Sequence, residues 1–132
     1  RIGDHAENII ELAEERHRRE VTLSEEAQAE IREIYKWTLN AINTAIESYR
    51  SNDKNKARSI VQIERTIDAL RYQYRETHIQ RLNEGVCSPL ASILFLDLLS
   101  NIERVGDHSE NIANAIADVE EELVLPAGMI LP

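Results

Sequence analysis

The sequence holds one cysteine, Cys87, so an internal disulfide is impossible and a reducing compartment fits best. Proline and glycine are scarce, three and four in 132 residues, and two of the prolines fall in the last seven positions. So little punctuation favours long helices. No strand alternation or glycine-turn hairpin signal appears. Basic residues are outnumbered, 15 Lys and Arg against 24 Asp and Glu, and are scattered along a chain of net charge −9. That balance argues against binding nucleic acid. No signal peptide is visible, and the most apolar stretch, PLASILFLDLLSNI from Pro89, carries Asp97 and falls short of the roughly 20 apolar residues that span a bilayer. There is no HExxH, phosphate-binding loop, GxSxG or paired-cysteine motif, and no nucleophile–base pair for hydrolysis.

What is present reads as four helical segments. The first covers 1–20 and ends in the charge run EERHRRE. Ser24, followed by Glu25 and Glu26, has the form of an N-cap with acidic residues in the first turn. From there to Ser51, Ala27, Ile31, Ile34, Thr38, Ala41, Ile42, Ala45, Ile46 and Tyr49 keep helical spacing. SNDKN makes a turn. A third helix over about 54–83 carries Ile60, Ile63, Ile67, Leu70 and Tyr74 as its stripe. EGVCSP breaks the chain, with Ser88 as cap and Pro89 at the first helical position of a fourth helix that runs to about Leu123. The expected fold is all-α, an elongated antiparallel bundle. Cys87, in a turn without a companion, reads as an inert thiol.

The fourth helix is apolar nearly all round over its first half (Leu90, Ile93, Leu94, Phe95, Leu96, Leu98, Leu99), which predicts burial on several sides. Beyond Ser100 it becomes two-faced. Ile102, Val105, Ile112, Ala113, Ile116 and Val119 take one side; Glu103, Asp107, Glu110 and Asn114 take the other, within about 60° of one another.

One phrase occurs twice: RIGDHAENI at residues 1–9 and RVGDHSENI at 104–112, identical at seven of nine positions. The second copy follows Glu103, so the first opens in mid-motif and predicts a Glu and further chain before Arg1. Glu103 and Asp107 stand one helical turn apart, close enough to repel unless neutralised. Hard cations are natural partners for such clustered oxygens. Glu64 and Asp68 repeat the spacing on the third helix, and Asp4 with Asn8 repeats the relation of Asp107 with Asn111. A solvated acidic face is the plain alternative. Gly3 and Gly106 sharpen the pattern, because glycine inside a helix costs about 1 kcal/mol relative to Ala; either a closely packed helix or a bound group accounts for them. His5 and His108 point about 100° away from the adjacent aspartates, which suits a buried, hydrogen-bonded role better than a ligand role. Di-iron bundles need paired Glu-x-x-His motifs, and the single candidate, Glu14 to His17, lies in a charge run.

DLLSNIERVGDHSENIANAI on the last helix, with IERTIDALRYQYRE on the one before it, resembles the PhoU family. SPLASILFLDLLSNIERVGDH looks most like the PhoU-type cytoplasmic domain appended to sodium/phosphate cotransporter-like membrane proteins. The resemblance implies tandem three-helix repeats. Residues 1–20 would end the last helix of one repeat, 24–123 would form the next, and 124–132 would be an apolar tail. It also implies metal held by E/D-x-x-x-D motifs, here Glu103 and Asp107, Glu64 and Asp68, and Asp4 from the earlier repeat. The ions would be divalent or trivalent, such as iron, zinc or magnesium. Without the start of the earlier repeat, a two-repeat site would be incomplete, or completed by a second copy.

The expected function is regulatory and non-catalytic: a bacterial cytoplasmic domain at the inner face of the membrane, part of an integral membrane protein tied to sodium-dependent phosphate transport. Its partner would be the membrane-embedded transporter portion, in the same polypeptide or a separate one. The alternatives are a free-standing PhoU-like adaptor in phosphate signalling, a metal-dependent enzyme, and a structural bundle that forms homo-oligomers without a ligand.

Overall fold

A computed structural model describes residues 1–123. Its side chains are described to Ala117, so the placing of Val119 in the core and of 124–132 as a tail lies outside the described residues. Four α-helices follow one another: α1 (Ile2–Arg18), α2 (Glu25–Ser51), α3 (Lys54–Asn83) and α4 (Pro89–Leu123). No strand occurs among the described residues. Ser24 Oγ accepts from the Ala27 N–H at 3.1 Å and Asp53 Oδ1 from the Lys56 N–H at 3.0 Å. Ser88 Oγ caps α4 through the Ala91 N–H at 3.1 Å, with Pro89 leading the helix. The α2–α3 reversal takes only Asn52, in the left-handed region at φ 53°, and Asp53. Gly85, at φ 72°, turns the chain out of α3, a conformation that glycine adopts without steric cost.

Such short links make α2, α3 and α4 alternate in direction, and each of the three packs against the other two. Their shared core is built on Ile34, Ile60, Ile67, Phe95, Leu99, Ile102 and Ala113. Among the described residues, helix α1 touches α4 and no other helix. It runs antiparallel to α4, since His5 lies against His108 and Asn8 against Asn101. The apolar first half of α4 is thereby explained: it is the one helix that meets the other three. Ile93 is an exception there, 58% exposed, and Ile112, Ile46 and Tyr49 also face outward although the spacing had placed them on apolar stripes. Among the described residues, no helix is long and apolar enough to cross a membrane.

A polar knot ties α3 to α2 near the links. Buried Arg81 donates to Glu30 Oε1 at 2.6 Å and Oε2 at 3.3 Å, and its guanidinium stands 3.4 Å from Glu26. His78 stacks on Phe95 with centroids 4.3 Å apart. Burial, then the charge of Arg81, holds the imidazole below its ordinary pKa. The neutral ring can therefore accept from Arg81 Nη2 through Nδ1, at 3.2 Å. Removing one member of a buried ion pair leaves the other uncompensated. Arg81→Ala is therefore expected to lower the unfolding free energy by about 3 kcal/mol, read from urea denaturation. A loss below about 0.5 kcal/mol would mean that Glu30 is well solvated.

Candidate metal centre

Helix periodicity sets Glu64 and Asp68 on one face of α3, one turn apart, and Glu103, Asp107 and Glu110 on one face of α4. Packing of α3 on α4 turns these faces toward each other. Oxygens of Glu64, Asp107 and Glu110 lie within 4.8 Å of one another, and so do oxygens of Asp68, Glu103 and Asp107. Asp107 is common to both groups, so five carboxylates form two adjoining clusters along one seam.

Gly106 makes the seam this close. A Cβ at that position would stand 2.8 Å from Glu64 Oε2 and 3.2 Å from Ile67 Cδ1. The missing side chain lets the Glu64 carboxylate rest on the α4 backbone. Glu64 is 3% exposed, and among the described residues neither oxygen accepts a hydrogen bond from an N–H or hydroxyl donor. A proton shared with Asp107, or a cation, is what such a site lacks. Burial pushes the Glu64 carboxyl up to about 10, reinforced by the Asp107 carboxylate, with which the protonated acid can share its hydrogen, and by the charges of Asp107, Asp68 and Glu110.

The surrounding carboxylates follow the same physics more weakly. Burial, then Asp107, raises Asp68 above its ordinary value, against the pull of Arg71. Burial also raises Glu103, opposed chiefly by Arg71, whose Nε lies 2.7 Å from Glu103 Oε2. Glu110 is raised by burial and by Asp107 and Asp68, with Asn114 opposing through a hydrogen bond. The donor set is all oxygen, anionic and partly desolvated. It suits hard cations such as magnesium, calcium, manganese or iron better than metals that favour nitrogen and sulfur.

Four of the five expected ligands, Glu64, Asp68, Glu103 and Asp107, thus come together. Asp4 does not. It is exposed on α1, outside both clusters, and α1 reaches only α4 while the seam belongs to α3 and α4. Gly3 likewise has open space where Gly106 has Glu64. The two histidines meet across the α1–α4 contact, ring centroids 5.2 Å apart and 21° from parallel. His5 Nδ1 stands 3.1 Å from Asn101 Oδ1. Both rings are half-buried where a buried, hydrogen-bonded role was expected, and His5 makes such a bond. Sequence reasoning placed Glu110 on the acidic face without including it among the ligands. Its position three residues after Asp107 was the available signal. Arg71 gave no comparable signal, since only the packing of α3 on α4 brings it to Glu103.

Glu64→Gln keeps the shape and supplies an N–H toward Asp107. In metal-free protein, Glu64 contributes most stability below its unfolded value of 4.5, and that contribution is lost as pH rises toward about 10. The substitution is therefore expected to stabilise the metal-free bundle at pH 7 by about 1–3 kcal/mol. It should also flatten the decline in melting temperature between those pH values; a variant melting below the parent at pH 7 would contradict the assignment. The paired glycines are separable in the same assay. Gly106→Ala drives a methyl group into a carboxylate hemmed in by other carboxylates, and should cost about 1–2 kcal/mol. Gly3→Ala should be neutral or gain a few tenths, on the order of the helix-propensity difference.

Comparison with known proteins finds relatives over most of the chain. The PhoU domain model matches residues 31–116, a range that contains all five seam carboxylates. The phosphate-specific transport system accessory protein PhoU homolog 1 of Thermotoga maritima is 26% identical over 124 residues, covering 91% of this chain and 51% of that protein. PhoU homologs of the same description from Pseudomonas aeruginosa and Pseudomonas putida are each 27% identical. They cover 88% of this chain, and 47% and 44% of their own lengths. The chain thus spans about half the length of these curated relatives. No solved structure matches the chain significantly.

Proposed function

This chain belongs to the PhoU domain family, and from that premise we propose that it is a non-catalytic, cation-binding accessory bundle that regulates a phosphate transporter. The observation that carries the reading is Glu64, a carboxylate buried without a partner inside a seam of four others. Glu64, Asp107 and Glu110 would hold one hard cation, and Asp68, Glu103 and Asp107 a second. Bound cations would supply charge neutralisation and a cross-link between α3 and α4. The chain's own part is to preposition the oxygens, exclude water at Glu64 and present a rim whose charge depends on loading. That rim would dock against the transporter, on the cytoplasmic side of the membrane.

Of the two settings that the sequence suggests, the free-standing adaptor takes more support. The curated relatives that align with most of the chain are described as accessory proteins of phosphate-specific transport systems. A domain fused to a sodium/phosphate cotransporter-like membrane portion rests on the sequence resemblance at 88–108 alone.

Two measurements test the proposal. Elemental mass spectrometry on purified protein should find stoichiometric metal, lost in Glu103→Ala/Asp107→Ala. A parent protein that takes up no metal even when supplied with Mn²⁺, and whose stability is unchanged in the double variant, would leave the acidic face as a docking surface only. Uptake of labelled phosphate into proteoliposomes of the host's own phosphate transporter should change several-fold when the loaded protein is added at the cytoplasmic face, and not with the double variant. Equal uptake in all three conditions would remove the regulatory role.

A further inference from the structure

We infer that Arg71 is a built-in counter-cation for the outer half of the seam, which an incoming metal ion must displace, so that the two carboxylate clusters load unequally. This rests on the cation-binding reading above and extends it to a residue that no acidic motif contains. An acidic cluster alone would not carry it; the buried, partnerless oxygens of Glu64 are the independent sign that the seam awaits a positive charge.

The asymmetry is geometric. Arg71 follows Asp68 by three residues on α3, so both side chains project over the same part of α4. Its Nε meets Glu103 Oε2 at 2.7 Å, a charge-assisted contact to one of the three outer carboxylates. Among the described residues, no cation is paired with Glu64 or Glu110 at the inner end. Both Glu64 oxygens are without a partner, and the charges acting on them are all negative. The outer cluster therefore carries three carboxylates with Arg71 paired to Glu103 and the charge of exposed Arg104 nearby, while the inner carries three carboxylates and no paired cation.

Arg71 is suited to leaving. Its side chain is 41% exposed and Glu103 17%, so the pair sits at the rim, where an ion pair contributes little and the arginine has water to swing into. A guanidinium stays charged at all ordinary pH, so loss of a proton cannot clear it from the site. It has to move as a group. The first cation thus goes to Glu64, Asp107 and Glu110. A second at Asp68, Glu103 and Asp107 must share Asp107 with the first and dislodge Arg71. Filling the outer site then releases a positive side chain onto the α3 surface beside the seam, so that the second binding step changes the charge that a docking partner meets.

The test is calorimetric titration of Mn²⁺ into metal-stripped full-length chain, comparing the parent with Arg71→Gln, Arg71→Lys and Glu64→Gln, each checked for helicity by circular dichroism. The parent should show one tight and one weak step. Arg71→Gln should tighten the weak step by about tenfold, the effect of removing one nearby partly screened charge, and leave the tight step in place. Arg71→Lys, which keeps the charge, should behave as the parent, and Glu64→Gln should abolish the tight step. An unaltered weak step in Arg71→Gln, or equal tightening of both steps, overturns the role of Arg71 while leaving the metal centre standing. Absence of any Mn²⁺ binding in folded parent and folded Arg71→Gln overturns the metal centre and this inference together.

Discussion

Burying the Glu64 carboxylate against the backbone of Gly106 costs free energy that no N–H or hydroxyl donor among the described residues offsets. Much else near the α3–α4 seam is arranged around that fact. A glycine stands opposite because any side chain would collide with the carboxylate. Ile60 and Ile67, one turn to either side of Glu64, are fully buried, so the group lies on the core side of α3. Asp107 and Glu110 approach it from the facing helix and raise the cost of ionising it further. A selection for stability alone would have put leucine there. An acid at such a position is compatible with a stable fold when a ligand restores the balance, because binding to the native state alone stabilises it by mass action.

The repeated phrase shows how little a motif determines without its surroundings. Both copies lie on helices, and the helices pack together antiparallel, so that His5 stacks on His108. Yet Gly106 faces a carboxylate 2.8 Å from where its Cβ would be, and Gly3 faces nothing. Asp107 joins two clusters; Asp4 joins none. The difference is what each phrase meets. The second copy has Glu64 and Ile67 of α3 against it and His5 of α1 on another side, whereas the first lies on a helix that meets α4 alone among the described helices.

Helix ends were readable because they depend on local chemistry. Ser24, Ser88 and Pro89 act where their residue types predict, and the turn at Asn52 and Asp53 needs only two residues whose side chains tolerate or cap it. The i, i+4 carboxylates were readable because helical rise fixes their spacing. Periodicity, however, names a face without naming the helix that covers it. Ile46, Tyr49 and Ile112 lie on apolar spacings but outward in the structure, since only part of each stripe is covered. Glu110 and Arg71 acquire their meaning from residues on another helix, at sequence separations of 46 from Glu64 and 32 from Glu103, and pairing of that kind is decided by how α3 and α4 rotate against each other.

That rotation also bears on where the site is complete. The resemblance implied a centre drawing on two repeats, in which Asp4 would contribute from the earlier one. In the structure all five clustered carboxylates belong to α3 and α4, within the range matched by the PhoU domain. Helix α1 approaches α4 from a side that carries Asn101 and His108, and supplies hydrogen bonds and ring stacking without any ligand oxygen. A cation bound at the seam would therefore hold together two helices of one three-helix unit, neighbours already joined by a short link. Its leverage would be on the α3–α4 packing angle and on the charge of the rim, and the contact with α1 would respond only through α4. A regulatory signal of this form would be local in origin and would be transmitted by the one helix that every other described helix touches.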